Sequence, residues 1–302
     1  MSFIVPLFNH LVQTQQMVDS LLMHVPSELN FEILLTDDAS TDGTPEWLES
    51  VSHPCIKVLR SSVNRGFAAN NNSAARHAQG EVLALLNSDL LLYADWLPPM
   101  LDLLLLPLAT VGVVGNVQRR VCDDAIDHTG MTLNELGHLV HMTDVNDLAA
   151  GGRPRSATCL AVTGACMLMR AADYWACGGL DEQFRNGAED VDLCFKLRQR
   201  GLRSCVALDS CVGHHVGLSR GPASLVNERN SHLLYGRWRT LIKQELATCW
   251  LPKLQRGDPV PDALEGLIDR ALLTTPHLAS LRIAEALLLR QEQRWRDLLG
   301  NP

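Results

Sequence analysis

The sequence lacks a dense run of lysine and arginine residues, and its formal net charge is −8 at pH 7. Binding of nucleic acid needs clustered cations that contact phosphates, and broad adhesion to anionic lipid has the same requirement. We therefore expect no nucleic-acid partner and no electrostatic attachment to a membrane. Internal repeats and low-complexity linkers are also missing, so the 302 residues are expected to form one large domain or two ordinary ones.

The cysteines lack any Cys-x-x-Cys pair. Their number is nine, which is odd, and they are scattered from Cys55 to Cys249. This pattern favours reduced thiols in a cytosolic protein over a disulfide framework or a zinc site. No charged segment precedes a long apolar stretch near Met1, so no signal peptide is expected.

A long uninterrupted apolar run is missing as well. The longest apolar tract, residues 97–117, contains Pro98, Pro99, Asp102 and Pro107 and two glycines. We therefore expect a core helix followed by a strand at this point and no transmembrane segment. A cytoplasmic protein is expected, with a peripheral position at the inner face of the membrane as the alternative.

The first ninety residues contain a regular alternation of strand and helix patterns. Apolar runs predict strands at 2–8, 31–38, 56–61 and 81–89, and helical spacing predicts helices at 13–24, 45–51 and 66–79. Further strands are predicted at 111–118, 160–169 and 203–208, and helices at 171–177, 189–200, 227–242 and along the tail to residue 302. The alternation indicates an α/β fold with a doubly wound, mostly parallel, Rossmann-like sheet.

Polar residues interrupt the apolar runs where the predicted strands end. In LALLNSDLLLYADW (83–96), the run stops at Asn87-Ser88-Asp89 and then resumes; Asp37, Asp38 and Asn64 follow other strands. Ligands of such sheets bind beyond the carboxyl ends of the strands, so these residues are candidates for a binding site. A dinucleotide site is less favoured, because no Gly-x-Gly-x-x-Gly sequence follows a strand.

Seven short motifs, in order, resemble those of the family 2 inverting glycosyltransferases. The motifs are FIVPLFN (3–9), DDASTDGT (37–44), NRGFAANNN (64–72), NSD (87–89), GGLDEQF (178–184), EDVDLCFKLRQRG (189–201) and HHVGLSRG (214–221). The resemblance covers about residues 3–240 and implies a GT-A fold. It implies a glycosyltransferase domain at 1–240 and leaves 241–302 as a helical C-terminal extension, for which the segment between Pro252 and Pro261 is a candidate boundary.

The resemblance assigns five residues to the nucleotide. Asp38 would read the pyrimidine, Pro6 and Asn9 would line the same pocket, and Arg65 and Asn72 would contact the nucleotide. Taken alone, the DDASTDGT turn is also typical of a helix N-cap, and Arg65 is also typical of a solvated surface residue.

The resemblance places a divalent cation, Mg²⁺ or Mn²⁺, at the NSD sequence. This sequence departs from the family's Asp-x-Asp signature, because Asn87 stands at the first position. Asp89 and His214 would bind the metal, with the diphosphate as the alternative partner of His214. Asn87 and Ser88 would contact the donor, and Asn87 would either bond the ribose or orient Asp89. Hard cations take oxygen ligands and are often held by one or two carboxylates together with substrate phosphates. A strand-end aspartate is also a common turn former, and His214 with its neighbour is also typical of a surface histidine pair.

The pair Glu189-Asp190 opens a predicted helix. The resemblance implies that Asp190 is the general base that takes the proton of the acceptor hydroxyl, with Glu189 as the next candidate. The alternative is that both residues simply complement the helix dipole. Asp192, two residues on, is expected to be structural.

These assignments imply transfer of a sugar from a nucleoside diphosphate sugar to an acceptor hydroxyl with inversion. The donor expected first is dTDP-rhamnose and the second a UDP-sugar, and the acceptor is a glycan or a lipid-linked molecule of bacterial cell-surface polysaccharide synthesis. Two alternatives remain, a catalytically silent nucleotide-sugar-binding protein and a nucleotidyltransferase. The tail residues Leu264, Leu267, Ile268, Ala271 and Leu272 recur at helical spacing, which predicts an apolar face that packs on the domain or on another subunit of a homo-oligomer.

Overall fold

The computed structural model describes residues 1–106, 110–144, 156–217, 225–258, 260 and 275–300. Two compact units make up the chain: residues 1–131 with 141–221, and residues 132–140 with 222–302. The predicted domain boundary at residue 240 falls within a helix of the second unit. None of the described helices is both long enough and apolar enough to cross a membrane.

The first half of the larger unit contains the predicted alternation of strands and helices. Its strands are β1 (Ser2–Leu7), β2 (Glu32–Asp37), β3 (Ile56–Arg60) and β4 (Val82–Leu86), and its helices are α1 (Leu11–His24), α2 (Thr44–Ser50) and α3 (Phe67–Ala75). Strand β1 pairs in parallel with both β2 and β4, and β2 pairs in parallel with β3. The carboxyl ends of these strands therefore lie at one edge of the sheet. Helix α3 ends earlier than the sequence predicts, at Ala75.

The second half of this unit adds strands of both directions. Its elements are β5 (Leu90–Leu92), α4 (Pro98–Leu105), β6 (Val111–Arg120), β7 (Ile126–His128), β10 (Ser156–Cys159), β11 (Cys166–Arg170), α5 (Ala171–Ala176), α6 (Glu189–Gln199) and β12 (Arg203–His214). The short strands β8 (Met131–Leu133) and β9 (Leu139–His141) come between β7 and β10 in the chain, and residues 132–140 belong to the smaller unit. The strand order is β10-β12-β6-β11-β4-β1-β2-β3, with β5 paired to β12, β7 paired to β6, and a separate β8-β9 hairpin. Strand β11 is antiparallel to β4 and β6, whereas β12 is parallel to β6. The expected doubly wound, mostly parallel sheet is thus present as a mixed sheet.

Two predicted strands have different limits in the structure. The strand predicted at 160–169 begins only at Cys166, because residues before it leave the ladder in a turn at Gly164-Ala165. The strand predicted at 203–208 continues to His214, since its second half pairs with β6 beyond a bulge between Ala207 and Cys211. Both differences place polar residues next to the carboxyl end of β4.

The core of the larger unit lies between the sheet and helices α1, α2 and α4. Phe3 of β1 is fully buried and lies 6.2 Å from the ring of Trp96, which is also fully buried. Burial of each large apolar side chain contributes roughly 1.5–3 kcal/mol to folding. The packed strands therefore form a rigid support for the polar residues at their ends.

The smaller unit is mostly helical. Helix α7 (Leu225–Arg256) has non-helical backbone angles at Trp238 and continues through Pro252, and α8 (Pro276–Leu299) packs on it. Arg239 of α7 forms ion pairs of 2.6 Å with both Glu285 and Glu292 of α8. The predicted apolar face at 264–272 lies outside the described residues, so it stays a prediction.

Candidate active site

The DDASTDGT turn connects the ends of β1 and β2. The backbone N–H of Asn9 donates to Ser40 Oγ at 2.7 Å, and Asn9 Oδ1 accepts a hydrogen bond of 2.7 Å from the backbone N–H of Thr41. Asp42, which precedes the N-cap residue Gly43, accepts the N–H of Thr44 at 2.9 Å. Pro6 lies half-buried on β1, beside β2. Asp42 therefore satisfies an N–H group at the start of α2, whereas Asp38 makes other contacts.

Asp38 holds the loop formed by Asn64, Arg65 and Gly66, the NRG loop. Its side chain is buried, and its two carboxylate oxygens accept the backbone N–H groups of Arg65 and Gly66, each at 2.8 Å. Gly66 has φ of +87°, a left-handed conformation that glycine adopts without steric cost. The guanidinium of Arg65 is half-exposed and lies 3.8 Å from the carboxylate of Glu182. Asp38 and Arg65 are thus brought together through the backbone of one loop.

Asn72 holds the GGLDEQF loop. Its Nδ2 donates to the carbonyl of Leu180 and to Glu182 Oε1, and its Oδ1 accepts from the hydroxyl of Tyr174 and from the N–H of Leu180. The side chain is buried, and these bonds use both amide protons and both acceptor positions. In this structure Asn72 is therefore fully bonded within the protein, and its predicted contact with a nucleotide remains a prediction.

The NSD residues and His214 are brought together by strand pairing. Strand β5 runs antiparallel to the end of β12, so Leu90 lies opposite His214. Asp89 Oδ1 is 3.4 Å from His214 Nε2, and the carbonyl of Asp89 accepts the N–H of His215 at 3.0 Å. The side-chain oxygens Asn87 Oδ1 and Asp89 Oδ1 are buried without a hydrogen-bond partner.

Two carboxylates face the two ring nitrogens of His214. Its Nδ1 lies 3.9 Å from Asp127 Oδ2, on the side opposite Asp89, and the same Asp127 oxygen is 4.0 Å from His141 Nδ1. The neighbouring His128 is fully buried, and burial, reinforced by the charges of His141 and His214, lowers its pKa to about 3. His128 is therefore neutral at pH 7. Nothing in a single sequence marks Asp127 or His141 as part of this cluster, because both belong to three-residue strands.

Asp89 and His214 could hold a metal together with a bound ligand. Within the described part of the chain, no group of three or more His, Cys, Asp or Glu side chains is arranged to hold a metal ion. Asp89 and His214 supply one oxygen and one nitrogen donor, and the unpartnered oxygens of Asn87 and Asp89 lack the hydrogen bonds that buried polar atoms normally make. This donor set fits a divalent cation whose remaining ligands come from substrate and water.

Asp190 lies in the first turn of α6 with both carboxylate oxygens oriented. Oδ2 accepts the N–H of Gly164 at 2.8 Å, and Oδ1 accepts the N–H of Val191 at 2.8 Å. The residue is 8% exposed. Glu189 Oε2 instead accepts the N–H of Gly187 at 2.7 Å. The predicted structural role of Asp192 agrees with its ion pair to Lys196 at 2.8 Å.

The turn before β11 connects these groups. The N–H of Thr163 donates to His128 Nε2 at 3.4 Å, the N–H of Gly164 donates to Asp190, and the carbonyl of Ala165 accepts the N–H of Asn87 at 2.8 Å. Three consecutive residues thus contact three parts of the site. The sequence prediction of a continuous strand missed this turn, although an isolated glycine within an apolar run is a known sign of an irregularity.

The mixed sheet, with acidic residues beyond the ends of its parallel strands, is the architecture of the GT-A fold. Residues 2–173 match the family described as glycosyl transferase family 2, and the chain belongs to that family.

Three proteins are similar to this chain in sequence or in fold. The O-antigen biosynthesis protein RfbC of Myxococcus xanthus is 29% identical over 245 residues, which cover 79% of this chain and 19% of the relative. The crystal structure of GalNAc-T7 with UDP, GalNAc and Mn²⁺ aligns with a TM-score of 0.68 at 15% identity, covering 100% of this chain and 57% of the other. The mannosyltransferase PcManGT of Pyrobaculum calidifontis, in complex with GDP-Man and Mn²⁺, aligns with a TM-score of 0.54 at 22% identity, covering 99% and 78%.

The chain spans between 19% and 34% of the length of three curated relatives to which it is similar. The two solved structures are only 15% and 22% identical in sequence to this chain, so their likeness to it concerns the fold alone.

Proposed function

We propose that this chain transfers a sugar from a nucleoside diphosphate sugar to an acceptor hydroxyl with inversion, and that Asp190 is the general base. One observation carries the proposal. The buried carboxylate of Asp190 is oriented by the amide of Gly164, whose neighbour Ala165 binds Asn87 at the carboxyl end of β4. A carboxylate held rigidly beside the strand ends is suited to accept a proton from a bound hydroxyl.

The donor nucleotide would bind on the side of β1 and β2. Pro6, Asn9 and Asp38 are at the ends of these strands, and Asp38 fixes the loop that carries Arg65. The pyrimidine would lie in this pocket, and Asn72 would contribute by keeping the GGLDEQF loop in place through its bonds to Leu180. The assignment rests on the family motifs together with this clustering.

A divalent cation would be held by Asp89 and His214. When bound, Mg²⁺ or Mn²⁺ neutralises negative charge that develops on the leaving diphosphate. The solved relatives contain UDP with Mn²⁺ in one case and GDP-Man with Mn²⁺ in the other, which supports a metal in this fold. Since Asn87 carries no charge, the protein offers only one carboxylate from the NSD sequence, and the diphosphate would supply further oxygens.

Residues of this chain would accept the proton of the acceptor and orient the groups that react. The acceptor hydroxyl gives its proton to Asp190 while its oxygen bonds to the anomeric carbon of the donor. The bond from that carbon to the diphosphate oxygen breaks on the opposite face, so the anomeric configuration inverts and nucleoside diphosphate leaves. Ser88 and Asn87, half-buried at the end of β4, would contact the donor during this step.

For the donor we propose dTDP-rhamnose or a UDP-sugar, and for the acceptor a glycan or lipid-linked glycan. The similarity to a protein of O-antigen biosynthesis supports a role in bacterial surface polysaccharide. We place the reaction in the cytoplasm, where the protein would meet its donor at the inner face of the cell membrane. An oligomer through the helical tail remains part of the proposal.

A donor screen tests the proposal. The protein is incubated with Mn²⁺ and with dTDP-rhamnose, UDP-galactose, UDP-N-acetylgalactosamine, UDP-glucose and GDP-mannose, with and without acceptor glycans, and released nucleoside diphosphate is measured. Acceptor-stimulated release of nucleoside diphosphate, lost in Asp190→Asn, is the expected result. Release of pyrophosphate would instead identify a nucleotidyltransferase. Tight donor binding without any release would identify a silent binding protein.

A further inference from the structure

The segment immediately before the Asp190 helix has an unusual backbone. Asn186, Gly187 and Ala188 have positive φ angles of 54°, 159° and 74° in succession. Left-handed conformations are unfavourable for residues with a Cβ and persist only where surrounding contacts hold them. Ala188 is the N-cap residue of α6 and has no side chain that could form a capping hydrogen bond. The direction in which α6 begins must therefore be set by other contacts.

Asn186 makes such a contact with a distant part of the site. Its Oδ1 accepts the backbone N–H of Phe67 at 2.9 Å. Phe67 is the first residue of α3 and directly follows Arg65 and Gly66, whose N–H groups bind Asp38. The consecutive N–H groups of residues 65–67 are thus bound by two side chains. Asp38 binds the first two, and Asn186, in the segment that leads into α6, binds the third.

Phe67 also borders the contact that orients Asp190. A Cβ built on Gly164 would lie 3.4 Å from the ring of Phe67 and 3.4 Å from Asp190 Cβ, so both side chains pack against this glycine. The N–H of Gly164 is the donor to Asp190 Oδ2. The backbone of Phe67 binds Asn186, and its ring packs beside the donor to Asp190. A shift of the segment 186–188 relative to Phe67 would therefore change the position of the Asp190 carboxylate.

We propose that Asn186 is a positioning residue, which fixes the Asp190 carboxylate by joining the start of α6 to the NRG loop. The inference rests on the proposed role of Asp190 as general base. Asparagine suits the position because it tolerates a left-handed backbone and carries a short acceptor. On this basis, loss of the acceptor should slow the proton-transfer step more than it weakens nucleotide binding.

Three substitutions at this position separate the hydrogen bond from backbone strain. Asn186→Ala removes the acceptor and leaves a Cβ at positive φ, whereas Asn186→Gly removes the acceptor and relieves the strain. Asn186→Asp keeps an acceptor of the same size, and its charge is favourable at the N-terminus of α3. Asn134→Ala is the matched control, because Asn134 Oδ1 likewise accepts backbone N–H groups, those of Leu136 and His138, in the hairpin of the other unit.

The measurements are the release of nucleoside diphosphate from the donor selected by the screen, the KM for that donor, the affinity for UDP with Mn²⁺ by calorimetry, and amide hydrogen exchange of residues 187–191. We expect kcat to fall by roughly 10- to 100-fold in Asn186→Ala and Asn186→Gly, since a displacement of about 1 Å can cost about 10²-fold. KM and UDP affinity should change by less than about 3-fold, because the nucleotide contacts stay in place. Hydrogen exchange of 187–191 should be faster in both variants, and Asn186→Asp should restore kcat to near the wild-type value.

Two results would overturn the inference. Wild-type kcat in Asn186→Ala would show that the bond does not position the base, and recovery of kcat in Asn186→Gly would assign the effect to strain alone. Asp190→Asn in the same assay keeps the two proposals apart. If Asp190→Asn is inactive while Asn186→Ala is normal, only the positioning role fails; if Asp190→Asn is normal, the proposed base itself is wrong.

Discussion

Replacement of Asp190 by asparagine tests the proposed chemistry most directly. The carboxylate accepts two backbone N–H groups, from Gly164 and Val191, each at 2.8 Å. An asparagine amide has one oxygen, so it can keep one of these bonds and must present its NH₂ group to the other donor. It cannot accept the proton of an acceptor hydroxyl. The substitution therefore affects both stability and chemistry, and their magnitudes can be compared.

The stability effect is too small to remove activity. Leaving one buried donor unsatisfied costs about 1–3 kcal/mol, and a typical domain is stable by about 5–15 kcal/mol. Even the least favourable combination leaves about 2 kcal/mol, which corresponds to only ~3% unfolded protein. Loss of a general base, in contrast, lowers the rate by about 10²- to 10⁴-fold, equivalent to roughly 3–5 kcal/mol of barrier. A large rate loss in Asp190→Asn would therefore come from chemistry.

The assay combines the transfer rate, the affinity for UDP with Mn²⁺ and the thermal unfolding midpoint. Asp192→Asn is the control, because Asp192 lies on the same helix, is fully buried and pairs with Lys196. We expect Asp192→Asn to lose stability and keep its rate, and Asp190→Asn to lose its rate and keep its UDP affinity. Near-normal transfer by Asp190→Asn with unchanged affinity would refute the reasoning, and Glu189 would become the next candidate for the base.

Three further predictions concern Asp38, the metal and the smaller, helical unit. Asp38→Asn should weaken UDP binding about 10-fold or more, because the carboxylate proposed to contact the pyrimidine is lost, at about 1–3 kcal/mol; calorimetry measures this. Excess chelator should abolish transfer and added Mn²⁺ restore it, since Asp89 and His214 alone offer few ligands; released nucleoside diphosphate measures this. Glu285→Gln should lower the free energy of unfolding by about 1 kcal/mol at pH 7. The reason is that hydrogen bonds from Arg239, which has the largest effect, and from Lys243 lower the pKa of Glu285 to about 2. That contribution is present above the ordinary pKa of 4.5 and is lost as the pH falls towards 2, so urea unfolding of variant and wild type should converge at low pH.

Each of these predictions has an outcome that contradicts it. Unchanged UDP affinity in Asp38→Asn would mean that Asp38 does not contact the nucleotide. Full turnover in excess chelator would remove the metal from the mechanism and leave His214 and Arg65 as the groups that meet the charge of the diphosphate. A stability difference for Glu285→Gln that is equal at pH 7 and at pH 2 would mean that the ion pairs with Arg239 do not stabilise the smaller unit.

The strands of the first half could be predicted because each buried strand is a continuous run of apolar residues in the sequence. Ile33, Leu34 and Leu35 form one apolar run, and all three are fully buried in β2. A strand inside a parallel sheet is covered on both faces, so consecutive apolar residues are required and are visible in the sequence. Asp37 and Asp38 could be predicted at the carboxyl edge of the sheet, because they follow this buried run.

The second half was harder to predict because its pairings are non-local. The three-residue strand β5 pairs with the far end of β12, and this pairing brings Asp89 to His214. The turn at Gly164 lies within an apolar stretch and has the composition of a strand. Its departure from the ladder depends on partners from other elements, among them Asp190 and Asn87.

By itself, the sequence determined the order of strands and helices, the edge of the sheet at which polar residues gather, and membership of a glycosyltransferase family through its motifs. Apolar periodicity and short motifs carry this information because they are local properties of the chain. Only the tertiary structure decided which N–H group orients Asp190, which carboxylate faces each nitrogen of His214, and which residue joins the start of α6 to Phe67. These contacts link residues far apart in the chain, and their geometry is set by how the strands pair and the helices pack.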